Sequence, residues 1–160
     1  LTGILESKEA WDLMRIQYSW AITKGYHPRH VHSMIEWAIN EKLVKRDVDR
    51  FTLKASIENI IYNIAVNKCA VNVNGRFTDY GHIVTVVGLK TEQTDIEVVE
   101  HLEEIDLSRI KSFIIDDPYG NWHSGYKDHK GNDISFSLQQ FDWLTKEYNQ
   151  NRKWAHIFSK

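Results

Sequence analysis

The chain has 160 residues, 42% of them hydrophobic and 26% charged, with a formal net charge of −2. That length and balance describe one globular domain with a real core and exclude a disordered or collagen-like chain. The charge leaves no basic footprint for nucleic acid and no polybasic membrane patch, and no apolar run is long enough to span a bilayer.

Trp11, Met14, Tyr18 and Ile22 fall at helical spacing with Glu9, Asp12 and Arg15 between them. The spacing predicts a helix from Ser7 to Thr23, stopped near Gly25. Pro28 opens a second helix whose apolar face is Val31, Met34, Ile35, Ala38 and Ile39. Lys45 to Thr52 is charged and partly alternating, a short strand or a loop. Ser56 is a good N-cap for a third helix, carrying the stripe Ile57, Ile60, Ile61, Ile64 and Ala65.

The period then changes to strand material. Cys69 to Val73 is predicted as one strand, with Gly75 starting the turn after it. Asp79-Tyr80-Gly81 is a turn that delivers His82 onto the β-branched run Ile83 to Val87, closed by Gly88, within a strand predicted from His82 to Leu89. Thr91 to Asp106 carries six acidic side chains up to Glu104 and reads as a solvated excursion. Lys111 to Ile115 returns to the sheet and runs into Asp116-Asp117-Pro118, where proline ends the ladder. Gly120 to Asp133 is a long loop or irregular hairpin. Ser137 caps a last helix with Leu138, Phe141, Leu144 and Tyr148 inward, and Trp154 to Phe158 is a closing strand. Helices first and strands after predict an α+β class with a mainly antiparallel sheet.

Each of two strands carries a functional-looking residue at or near an end. His82 is a candidate base, and a carboxylate at a neighbouring strand end can accept from its ring and fix the tautomer. Asp116 and Asp117 compete for that role, because adjacent strand residues face opposite ways. Cys69, the sole cysteine, is expected to be a buried structural thiol, since it sits within a strand with no helix N-terminus to activate it. His27, His30 and His32 lack a partnering cysteine or a carboxylate at a recognisable spacing, so they read as surface polar residues and no metal site is expected. Tyr119, Trp122, His123 and Tyr126 crowd the loop after Asp117, either as a substrate-binding wall or as aromatics pinning their own loop.

Gly81-His82-Ile83-Val84-Thr85-Val86-Val87-Gly88, followed by Ile114-Ile115-Asp116-Asp117-Pro118-Tyr119-Gly120, resembles the second half of the bacteriocin-leader-peptidase-like cysteine peptidases. These are papain-like proteins of bacteria and bacteriophages. The resemblance covers Ser56 to Lys160 well and the first two helices weakly. It implies a papain-like α+β fold over residues 1–160, with His82 as catalytic base and Asp117 as its orienting carboxylate. Tyr119, Trp122 and Tyr126 would then line the substrate site. The substrate would be a peptide, a leader sequence or a peptidoglycan cross-bridge, with no cofactor, no nucleic acid and no membrane. The family's nucleophilic cysteine opens an N-terminal helix, with an oxyanion-hole glutamine before it. Neither has a place here, because Gln17 precedes no cysteine and Cys69 comes too late. The cysteine is therefore expected upstream of Leu1, or on another chain that completes the fold. On that expectation an apolar groove lies open along the third helix. The alternative is a pseudo-peptidase that keeps the cleft for binding.

Overall fold

A computed structural model describes residues 23–25, 28–146 and 153–160. The helix expected over Ser7 to Thr23 lies, up to Ile22, outside the described residues, as do His27 and Tyr148. Contacts divide the chain between Phe51 and Thr52, and the two parts are taken in turn.

In the first part, α1 spans Pro28–Trp37 and runs on as a wider π-helix over Ala38–Val44. Lys45 ends it in the left-handed region, at φ 56°. The buried Asn40 side chain fixes the following turn. Its amide donates to Asp49 O at 2.7 Å, and its oxygen accepts from Val48 N and Asp49 N at 3.0 and 2.9 Å. Those bonds satisfy backbone groups at the entry to the strand that follows. The stretch predicted as strand or loop becomes β1, Asp49–Ala55, which runs across the boundary into the second part.

The second part holds α2 (Ile57–Ala65), β2 (Val71–Gly75), β3 (His82–Thr91), β4 (Ile110–Asp116), β5 (Ile134–Ser137), α3 (Leu138–Thr145) and β6 (Lys153–Phe158). The class is α+β, with a six-stranded antiparallel sheet in the order β1-β6-β2-β3-β4-β5. Ser56 and Asn59 form a capping box on α2, and Ser137 and Gln140 form one on α3. Each box satisfies two orphan donors of its helix's first turn.

Register explains the core. Val71 pairs with Val86, Val73 with Val84, and Gly75 with His82. These residues share one face, because side chains alternate along a strand. Phe113, Ile115, Ile134, Phe136 and Ala155 lie on the same face and are buried with them. Ile60 and Ile61 of α2 and Phe141 and Leu144 of α3 join that cluster. Along the expected stripe Ile60, Ile61 and Ala65 are buried, while Ile57 and Ile64 are half-buried.

Four expectations change. Cys69 is not in a strand: Asn63 Nδ2 donates to the carbonyls of Cys69 and Ala70, and Cys69 N donates to Asn63 O. The end of α2 thus holds both residues out of the ladder, and the thiol is half-buried rather than buried. Gly75 ends β2 instead of starting the turn, and a Cβ there would sit 2.6 Å from the Phe77 ring. β3 runs past its expected end at Leu89, because a bulge between Val86 and Gly88 lets pairing with β4 continue to Thr91. The acidic excursion is anchored as well as solvated. Ile96, Val99 and Ile105 are buried, and the Gln93 amide bridges Glu104 O and Asp106 N at 2.9 Å each.

Candidate active site

The site begins at the turn before β3. Thr78 Oγ1 donates to Gly81 O, and Gly81 N donates to Thr78 O at 3.1 Å. Gly81 takes φ +82°, a conformation open to glycine at no steric cost. This closed turn sets His82 as the first residue of β3, on the core face with Val84 and Val86. Asp117 follows the last residue of β4. Asp116 pairs with Thr85 on the outer face and accepts from Asp133 N at 2.9 Å. Asp117 therefore faces inward, towards His82.

His82 Nε2 lies 2.7 Å from Asp117 Oδ1, with the two side chains 8% and 1% exposed. A carboxylate accepts, so Nε2–H is the donor and Nδ1 carries the lone pair in the neutral ring. Asp117 is held from several sides. Oδ1 also accepts from Tyr119 N at 2.8 Å, and Oδ2 accepts from the Tyr126 hydroxyl at 3.1 Å. The Asp117 backbone N–H donates to Gly131 O at 2.8 Å. A buried carboxylate with this many donors has one orientation.

The aromatic residues divide. Tyr119 stacks on the His82 ring, with centroids 4.1 Å apart and planes at 26°, while staying 60% exposed. Tyr126 meets the same imidazole edge-on at 6.5 Å. Burial and the neighbouring Asp117 charge push its phenol well above the usual tyrosine value, so it remains a donor through neutral pH. Trp122 is on the short turn Trp122–Ser124, half-buried against Phe136 and His123 at 5.5 and 5.4 Å. The structure thus brings His82, Asp117, Tyr119 and Tyr126 together, and Trp122 packs on the core.

Two glycines that the sequence reading did not single out close the loop. A Cβ on Gly131 would lie 1.8 Å from Asp117 O, and one on Gly120 would lie 2.4 Å from Asp128 O. The only available signal was their place within the Gly- and Asn-rich stretch. Beside Gly81 opens a cleft of about 260 Å³, walled by Arg76, Leu144, Lys146 and Trp154.

Cys69 lies at the other end of β2 from Gly75, the partner of His82. Val71 to Gly75 alone spans about 13 Å of strand at the usual rise. Among the described residues no group of three His, Cys, Asp or Glu side chains could hold a metal ion. His30 is exposed and His32 stacks on Phe51 at 5.1 Å. No helix among the described residues is long and apolar enough to cross a membrane. No family model, no curated protein and no solved structure matches the chain.

Proposed function

We propose that this chain carries the base-and-carboxylate half of a papain-like cysteine peptidase site, in the manner of the bacteriocin-leader-peptidase-like enzymes. The substrate would be a peptide bond in a peptide, a leader sequence or a peptidoglycan cross-bridge of bacterial or phage context. The observation that carries the reading is the 2.7 Å contact between His82 Nε2 and Asp117 Oδ1. It commits Nε2 to the carboxylate and leaves Nδ1 as the ring nitrogen that accepts a proton. Among the described residues, no side chain donates to Nδ1.

In the proposed reaction a cysteine from outside these 160 residues brings its thiol to Nδ1. His82 takes the thiol proton, and the thiolate adds to the scissile carbonyl. The imidazolium, held by Asp117, then returns a proton from Nδ1 to the leaving amine, giving a thioester. Water, deprotonated by His82, hydrolyses the thioester and restores the thiol. The Tyr119 stack keeps the imidazole plane fixed during both transfers. The cleft beside Gly81, with Arg76, Lys146 and Trp154 on its walls, offers room for side chains next to the scissile bond.

The test compares the natural full-length protein with its His82→Ala variant on a broad peptide library. Loss of about 10²–10⁴ in rate is expected for a general base. Unchanged cleavage by the variant, or robust cleavage by the 160-residue chain alone, defeats the assignment. A second reading, a pseudo-peptidase that binds peptides, is favoured by one observation: the sole thiol lies at the far end of β2. Peptide binding with no turnover in the full-length protein would select it.

A further inference from the structure

The loop from Pro118 to Gly131 spends its conformational freedom on delivering one phenol. Gly125 and Tyr126 both take left-handed conformations, at φ 64° and 63°. For glycine that is ordinary. For tyrosine it is a sparsely populated state that persists only where surrounding contacts over-determine it. The contacts are present. Tyr126 N donates to Asn121 O at 3.1 Å, as does Ser124 N, and Asn121 N donates to Asp128 O at 2.8 Å. Gly120 fits against Asp128 O with no room for a side chain. The chain therefore doubles back, and the side chain nine residues beyond Asp117 returns to Asp117 Oδ2 at 3.1 Å. The hydroxyl also lies 3.2 Å from Phe77 O. It has one proton, and the charged acceptor is the stronger of the two.

We propose that Tyr126 is a positioning residue: its hydroxyl fixes the Asp117 carboxylate so that Oδ1 faces His82 Nε2, and thereby sets the tautomer of His82. It replaces the substrate-wall role that its place on the loop suggested. Tyr119 N holds Oδ1 from the side, but an amide on one oxygen leaves the carboxylate free to rotate away. A donor on Oδ2 removes that rotation. Since Tyr126 acts through Asp117 and touches no reacting atom, its effect on hydrolysis rests on the proposed peptidase reading. Its effect on the imidazole does not.

The experiment is ¹⁵N NMR of the His82 ring in the 160-residue chain, wild type and Tyr126→Phe. The wild-type neutral ring should be almost wholly Nε2–H. Loss of one hydrogen bond to a charged group should shift the tautomer ratio towards Nδ1–H by at least about fivefold. A purely structural tyrosine would lower thermal stability and leave the ratio alone, and an unchanged ratio overturns the proposal. If the variant does not fold, the wild-type chain still decides. Its Tyr126 hydroxyl proton should be protected from solvent exchange and show a through-bond coupling or close contact to the Asp117 carboxylate, and a freely exchanging proton overturns the proposal. In the natural full-length protein, Tyr126→Phe should lower kcat about tenfold with KM unchanged. A shifted tautomer ratio in a protein that cleaves nothing keeps the positioning role and removes the peptidase reading.

Discussion

Replacing Gly131 by alanine tests whether the loop contact at Asp117 is as tight as its geometry says. The added Cβ would lie 1.8 Å from Asp117 O, 2.9 Å from its carbonyl carbon and 3.1 Å from Gly120 Cα. Real Cβ atoms stay beyond 3.0 Å, so the two backbones must part by at least 3.0 − 1.8 = 1.2 Å. Both are main chain, with no flexible side chain to yield. The separation breaks the 2.8 Å bond from Asp117 N to Gly131 O. Overpacking of this kind costs about 1–3 kcal/mol, and leaving a buried N–H unpaired costs about 1–3 kcal/mol more. The expected loss is about 2–6 kcal/mol, a large share of the total stability of a domain. Two other glycines serve as controls. Gly125→Ala meets nothing within 4 Å but must hold φ +64°, costing about 1–2 kcal/mol. Gly88→Ala finds its nearest neighbour at 3.5 Å, an ordinary contact, and should change stability by less than about 0.5 kcal/mol. Urea unfolding followed by tryptophan fluorescence measures all three. Equal losses at Gly131 and Gly125 would mean that the loop gives way freely, and would refute the claim that Gly131 fixes Asp117.

Alkaline pH should probe Tyr126. Its phenol is raised above the usual value of 10.0 by burial and the Asp117 charge, so the unfolded chain ionises first. Stability from this group is intact below pH 10 and falls as pH rises beyond it. The fall should be shallower in Tyr126→Phe, and identical slopes would contradict it. Asp142 accepts from Lys153 Nζ at 2.6 Å, with the lysine side chain 1% and the aspartate 41% exposed. Asp142→Asn should therefore destabilise the chain by about 1–3 kcal/mol, less than a fully buried pair would lose, as read by urea midpoint. Ser137→Ala removes the acceptor for Gln140 N, which is one half of the capping box, and should cost about 1 kcal/mol in the same assay. Cys69→Ser keeps a donor for Asn67 O and should leave the His82 ring signals untouched. A shift in those signals would mean that the thiol and the imidazole communicate.

What was legible in the sequence was what local chemistry decides. Ser56 and Ser137 announced their helices because an N-cap serine satisfies donors within three residues of itself. The β-branched run after His82 announced β3, and proline at 118 announced where β4 had to stop. Alternation told that only one of Asp116 and Asp117 could face His82, and the register that pairs Thr85 with Asp116 came from the structure. What escaped depended on partners distant in sequence. Cys69 and Ala70 look like strand, and only the reach of Asn63 from the preceding helix removes them from it. β5 is four residues long, and Ile134 and Phe136 gain their meaning from pairing with Ile115 and Phe113. Ile96, Val99 and Ile105 were hidden among acids whose charges face water while the aliphatic side chains turn into the core.

The loop after Asp117 shows the same division within a single site. Its crowd of aromatics was visible, but the tasks of those aromatics were not. Three rings within eight residues take three different places: Tyr119 over the imidazole, Trp122 against the core and Tyr126 back onto the carboxylate. Spacing does not separate them, because the loop has no period. Backbone conformation does, and the residues that set it are Gly120, Gly125 and Gly131 together with the left-handed Tyr126. In such a loop the glycines carry the positional information and the aromatics carry the chemistry. A histidine–carboxylate pair built at two strand ends is thus only half specified by the strands. The other half is a glycine-framed loop that brings a third donor to the far oxygen of the carboxylate.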